Sequence, residues 1–251
     1  MTNRFENQVA IVTGGARGIG KAISRRMAVE GAKVVLFDLR EEELTEATNE
    51  LQEEGLQVSG TRVDITKELE VTKAIQRVLR GQGRIDVMVN SAGVVGPTSR
   101  LAVDYSFQDF QQVVTVNLGG AFLMTKYCLP PMLERNYGRI LLISSIGGKE
   151  GNPGMAGYAA AKSGVMGLVK GVGKEYAETG ITVNGLAPAV IATPMNLDTD
   201  TQLLKYMADK IPMKRLGTVE EVAAISCWIV SKEASFNTGF IFDLSGGRAT
   251  Y

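Results

Sequence analysis

The sequence predicts a single α/β domain built on a parallel sheet, and three observations predict it. Short apolar runs alternate with amphipathic helical stretches along the whole chain. The first run, the glycine turn after it and the second run, which closes on an acid, form a βαβ unit. Polar residues (Thr13, Asp38, Asp64, Asn90 and Ser145) recur at the carboxyl ends of the apolar runs, where ligands lie in parallel sheets.

The elements follow in order. Residues 8–12 read as a buried strand, Thr13 to Gly20 as a glycine turn, and Lys21 to Glu30 as an amphipathic helix stopped by Gly31. Lys33–Phe37 is a second strand ending on Asp38. The glycines let the backbone approach a pyrophosphate, whose charge suits the N-terminus of the helix, so this unit is expected to bind a dinucleotide. A helix is predicted over Glu41–Glu54, a strand over Gln57–Arg62, and a turn at Asp64-Ile65-Thr66 that also caps the next helix, Lys67–Arg80. Ile85–Val89 is a strand running into Asn90-Ser91-Ala92-Gly93, followed by one long helical region from about Phe107 to Arg135 with Asn117 in its middle. Ile181–Leu186 and Phe240–Leu244 complete the strands, and Thr218 with Glu221 forms a capping box for the last helix. Residues 188–215, punctuated by Pro188, Pro194 and Pro212, are expected to form a substrate lid. No linker or repeat divides residues 1–251, so one domain is expected.

Composition excludes several classes. Lys plus Arg (27) balances Asp plus Glu (27), with no basic tract for nucleic acid. No apolar run approaches the roughly 18–20 residues of a membrane span, and Met1–Glu6 lacks the apolar core of a signal peptide. Cys128 and Cys227, far apart in sequence, fit a reducing cytoplasm as core fillers. Histidine is absent, which excludes a Ser-His-Asp hydrolase and any His-ligated zinc or iron site. No metal is expected, and proton chemistry has to run through Tyr, Lys, Ser, Asp, Glu or Cys.

One stretch supplies such chemistry. Arg139–Ile143 reads as a buried strand that delivers Ser144 and Ser145 at its tip. After a glycine-rich loop, Tyr158 and Lys162 fall at i and i+4 of an Ala-rich helix, on one face. A phenol is a poor acid or base at neutral pH until a nearby ammonium stabilises the phenolate, and Lys162 lies one turn away. Spacing alone does not single out this pair, because Tyr206 and Lys210 repeat it. Tyr206 has no serine-ended strand before it and is assigned no role.

Thr13-Gly14-x-x-x-Gly18-x-Gly20, Asn90-Ser91-Ala92-Gly93, Asn117, Ser145 and Tyr158-x-x-x-Lys162, in this order and spacing, resemble the motifs of the short-chain dehydrogenase/reductase family along essentially the whole chain. The resemblance implies a Rossmann-type doubly wound parallel sheet of about seven strands with helices on both faces. It also implies hydride transfer between NAD(P) and an alcohol or ketone. Tyr158 is then the general acid/base, Lys162 the group that lowers its pKa and binds the nicotinamide ribose, Ser145 the residue that orients the substrate oxygen, and Asn117 the holder of a relay water. The implied cofactor-binding positions are Gly14, Arg17, Gly18, Ile19, Gly20, Asp38, Leu39, Asp64, Ile65, Asn90, Ala92, Gly93, Ile191 and Thr193, with Tyr158 and Lys162 shared. Two positions depart from the common pattern: Ser91 stands for a frequent asparagine, and Ala189 for the glycine that often follows the proline.

NAD is expected over NADP. Asp38 ends the second strand, where a fixed carboxylate accepts from the adenosine ribose hydroxyls and repels a 2′-phosphate. Arg17 and Arg40 argue the other way, as mobile and solvent-screened charges. For the substrate, Lys149-Glu150-Gly151-Asn152 and the ending from Asp243 to Tyr251 resemble a subgroup acting on 2-keto-3-deoxy sugar acids, so a small polar hydroxy or keto acid is expected. Lys149, Asn152 and Arg248, with Ser145 and Tyr158, are the candidate substrate contacts; the plain alternative for Lys149 and Arg248 is a solvated surface charge. A 3-oxoacyl-acyl-carrier-protein reductase is the second reading, and a nicotinamide-binding regulator without turnover a remote third. Apolar residues on more than one face of the helix from Gly157 to Glu175, with the family resemblance, point to a homotetramer.

Overall fold

The computed structural model describes residues 3–193, 205 and 207–249. Its strands are β1 (Val9–Thr13), β2 (Lys33–Asp38), β3 (Val58–Arg62), β4 (Val87–Asn90), β5 (Gly138–Ile143), β6 (Ile181–Pro188) and β7 (Ile241–Leu244). All pairings are parallel and the order across the sheet is β3-β2-β1-β4-β5-β6-β7. Sequence order reverses between β1 and β4, which opens a crevice beyond their carboxyl ends.

Side-chain alternation sorts the strand residues onto two faces. Val9 and Ile11 of β1 enter one core with α3 (Glu68–Gln82), α5 (Gly120–Glu134) and α7 (Ala156–Glu175). Ala10 and Val12 enter the other with α1 (Gly18–Val29), α2 (Glu41–Glu53) and α8 (Val219–Ile229). The expected doubly wound, seven-stranded single domain is thus the observed one.

Several local expectations are corrected. Asp64 does not cap α3: its Oδ1 accepts from the Thr66 N–H and hydroxyl, and Lys67 occupies the cap position without a side-chain bond. The predicted long helix is α4 (Phe107–Val114), a π-turn at Thr115–Gly119 and then α5. A π-turn adds a residue to one helical turn, a shift that apolar periodicity does not register. The glycine-rich loop after Ser145 contains a short helix, α6 (Ile146–Glu150), whose cap is Ser145 itself, its Oγ accepting from the Gly147 N–H. Of the expected lid, Ile191 bridges to Gly217, while Asn196, Asp198, Thr199, Asp200 and Tyr206 lie outside the described residues.

The capping box of α8 is present as expected. Thr218 Oγ1 accepts from the Glu221 N–H at 3.2 Å, and Glu221 Oε2 accepts from the Thr218 N–H at 2.8 Å. Thr218→Ala removes half of it and should lower stability by about 1 kcal/mol, a Tm decrease of about 2–4 °C by calorimetry. An unchanged Tm contradicts the assignment.

Candidate active site

The glycine turn between β1 and α1 lies at the switch point. It is folded tightly: a Cβ on Gly20 would sit 2.1 Å from the Gly14 carbonyl oxygen. α1 starts with no side-chain cap and no acid in its first turn, so its leading N–H groups face the crevice without a competing carboxylate. Thr13 Oγ1 donates to Asn90 Oδ1 at 2.9 Å and accepts from the Ala92 N–H at 3.1 Å, joining the ends of β1 and β4. These features fit a dinucleotide pyrophosphate.

Asp38 ends β2 beside the glycine turn. Its Oδ2 accepts from the Ala16 N–H at 3.2 Å and its Oδ1 from the Arg40 N–H at 3.1 Å, which fixes the carboxylate beside the turn. Leu39, next to it, is exposed, whereas Ile65 is buried against Gly120 and has only main chain to offer a ligand. Ile19 packs on the α1 side of the sheet. From the far side, the Thr193 methyl reaches to 3.6 Å from where a Gly18 side chain would lie, and Ile191, two residues earlier, is buried.

Ser145, Tyr158 and Asn152 meet at one point. A Cβ on Gly147 would lie 2.8 Å from Asn152 Nδ2, 3.5 Å from Ser145 Oγ and 3.6 Å from Tyr158 Cε1. The Ser145 and Tyr158 side chains share a hydrogen bond that pulls the phenol pKa down, while burial pushes it up more strongly. The sequence reading expected the lowering influence to come from Lys162. That ammonium donates instead to the Ile143 carbonyl at 2.9 Å and stands 5.8 Å from the Tyr158 ring centre. Burial holds Lys162 down to about 8.

Asn117, in the π-turn, is buried and acts as a clamp. Its Nδ2 donates to the carbonyls of Val94 and Val113, at 2.8 and 2.9 Å, and its Oδ1 accepts from the Val94 N–H at 3.3 Å. It presses on Gly93, where a Cβ would lie 2.5 Å from Asn117 Oδ1 and 3.4 Å from Lys162 Nζ. Asn117, Gly93 and Lys162 are therefore neighbours.

The expected substrate cations are engaged elsewhere in the chain. Lys149 Nζ pairs with Asp243 Oδ2 at 2.9 Å, and Arg248 binds Glu150 Oε2 at 2.7 Å and Asn152 Oδ1 at 3.4 Å. These pairs tie β7 and the segment after it to α6. Sequence reasoning missed Asp243 and Glu150 because their partners lie far away in the chain; it also left out Thr13 as a binding residue, although its place at the end of β1 was visible.

The family model for short chain dehydrogenases matches residues 8–203. A 2-dehydro-3-deoxy-L-rhamnonate dehydrogenase (NAD(+)) of Sphingomonas sp. is 39% identical over 248 residues, covering 99% of this chain and 98% of its own. A 3-oxoacyl-acyl-carrier-protein reductase of Thermotoga maritima is 36% identical, covering 97% of this chain and 98% of its own. Among solved structures, an actinorhodin polyketide ketoreductase with NADPH superposes with a TM-score of 0.92 at 33% identity, over 100% of both chains.

The buried Lys162 makes stability depend on pH. Its folded pKa of about 8 lies below the ordinary 10.5, so between these values the unfolded chain binds more protons than the folded one. Stability contributed at this site rises with pH across that window, and the full penalty, about 3 kcal/mol, is present below it. Lys162→Met removes the titration. By denaturant unfolding, the stability of the variant relative to wild type should be greatest at neutral pH and fall by about 3 kcal/mol by about pH 10.5. A difference that does not change with pH contradicts the buried cation.

Proposed function

Because the chain belongs to the short-chain dehydrogenase family, we propose that it is an NAD-dependent enzyme interconverting a secondary alcohol and a ketone on a small polar acid of sugar origin, such as a 2-keto-3-deoxy sugar acid. The observation that carries this reading is the meeting of Ser145, Tyr158 and Asn152 at one point, with Lys162 one helical turn from the tyrosine. Bound nicotinamide supplies the hydride acceptor or donor. The rest of the chemistry belongs to the chain.

The glycine turn and the start of α1 hold the pyrophosphate, Asp38 the adenosine ribose, and Lys162 the nicotinamide ribose. Asn90, Ala92, Gly93, Asp64 and the main chain at Ile65 line the crevice, with Ile191 and Thr193 toward the carboxamide. Ser145 Oγ holds the substrate oxygen. Tyr158 gives its proton to that oxygen in reduction and removes it in oxidation, with the Ser145 hydrogen bond favouring the phenolate. Both amide hydrogens of Asn117 are engaged, so a relay water there is held through an oxygen of that residue.

Several observations support the finer points. For NAD, the Asp38 carboxylate is fixed by two main-chain N–H groups, and the Sphingomonas relative is named for NAD(+). For a sugar acid, the mouth is polar: a substrate carboxylate would take Lys149 from Asp243 or Arg248 from Glu150, and Asn152 offers an amide. The similarity to the Thermotoga reductase supports acyl-carrier-protein thioesters as the second reading. Phe107 (71% exposed) and Phe122 (49% exposed) leave apolar surface near α4 and α5, in keeping with a homotetramer, and the two buried free cysteines are in keeping with a cytoplasmic location.

Cofactor-linked assays over 2-keto-3-deoxy sugar acids, polyols and acetoacetyl thioesters test the proposal. Oxidation of a sugar acid with NAD is expected; efficient thioester reduction with no sugar-acid turnover establishes the second reading. Tyr158→Phe should cut turnover by about a thousandfold or more with NADH binding intact, since it removes the proton donor and little volume. Substantial residual activity contradicts the assignment. Asp38→Ala should shift preference toward NADP, and equal efficiency of the wild type with both cofactors contradicts the role of Asp38.

A further inference from the structure

The structure assigns to Glu43 a second, indirect role in cofactor choice, one that rests on the NAD reading: it engages, and offsets part of the charge of, the two arginines otherwise placed to receive a nucleotide 2′-phosphate. Glu43 lies in the first turn of α2, two residues beyond Glu41, where the chain leaves β2 and Asp38. Its Oε1 accepts from Arg40 Nη1 at 2.7 Å, and its Oε2 faces Arg17 Nε at 3.7 Å. Arg17 ends the glycine turn and Arg40 precedes α2, so one carboxylate spans both sides of the adenosine end. Glu43 Oε2 is shielded from solvent and makes no hydrogen bond, so it stays in the ion pair without a competing donor.

The surroundings leave little positive charge to a phosphate. A cavity of about 210 Å³ opens here, lined by Ala16, Arg17, Lys21 and Glu43 among others. Ala16 is the residue whose N–H binds Asp38, which puts the cavity beside the ribose position. Lys21, its remaining cation, is paired with Glu50. The N-terminus of α2, which by its dipole favours an anion, instead carries Glu41, Glu42 and Glu43. A 2′-phosphate arriving next to Asp38 therefore meets cations already engaged by carboxylates and reduced in net charge. Asp38 acts by contact; Glu43 acts through Arg17 and Arg40.

A double-mutant cycle on the full chain, read by NADH and NADPH binding, tests this without any substrate. Glu43→Gln should tighten NADPH binding by about fivefold, the weight of one unit charge at about 4 Å in water. NADH affinity should stay within about twofold, which also reports that the variant is folded. In the wild-type background, Arg17→Ala with Arg40→Ala should lower the ratio of NADPH to NADH affinity by less than in the Glu43→Gln background, because Glu43 already holds both side chains. In the Glu43→Gln background, the same two changes should cancel the gain. A Glu43→Gln protein that binds NADPH no more tightly overturns the proposal, as does a gain that survives loss of both arginines. So does a loss of relative NADPH affinity on removing the arginines that is as large with Glu43 present as with Gln in its place. A wild type that prefers NADPH speaks against the NAD reading itself, while the cycle still isolates Glu43.

Discussion

Lys162 is bound to the end of β5 through both its main chain and its side chain. Its carbonyl accepts from the Ser144 hydroxyl at 2.8 Å, and its ammonium donates to the Ile143 carbonyl at 2.9 Å. This double attachment sets how α7 lies on the sheet, and with it the position of Tyr158 one turn earlier. It also buries a cation that no carboxylate among the described residues offsets, a cost carried by the rest of the fold. The apolar cores on the two faces of the sheet supply the stability that such a site consumes.

The remaining geometry follows from that placement. α6 packs so closely on α7 that a Cβ on Gly148 would lie 2.8 Å from the Lys162 carbonyl carbon. Because Ser145 caps α6, the contact positions its hydroxyl against Tyr158. On the other side, the Asn117 clamp holds Val94 and Gly93 at the end of β4, next to the same ammonium. Strand order and helix contacts thus bring three distant segments of a histidine-free chain together around Tyr158 and Lys162.

Much of this was legible in the sequence because it rests on local patterns. Buried parallel strands read as apolar runs, the polar residue at each strand end marks the ligand edge, and Thr218 with Glu221 announces its helix. Three kinds of feature were not legible. The π-turn around Asn117 leaves apolar spacing almost unchanged, so α4 and α5 read as one helix. α6 has two glycines in five residues and is held by contact with α7 rather than by propensity. The pairs Lys149–Asp243, Arg248–Glu150 and Arg17–Glu43 join residues far apart in the chain, and charge counting assigns such side chains to solvent. The first two pairs bear on the substrate end, where the sequence saw the cations and not their partners.

The central claim is that Tyr158 moves the proton and that Ser145 tunes it. The pH dependence of kcat/KM for alcohol oxidation, measured for wild type and Ser145→Ala, tests this most directly. Oxidation requires the phenolate, so activity should rise with pH through the Tyr158 ionisation. Ser145→Ala removes the hydrogen bond that pulls that pKa down and should move the rising limb to higher pH, apart from any fall in the maximum. A limb at the same pH in both proteins would contradict the account.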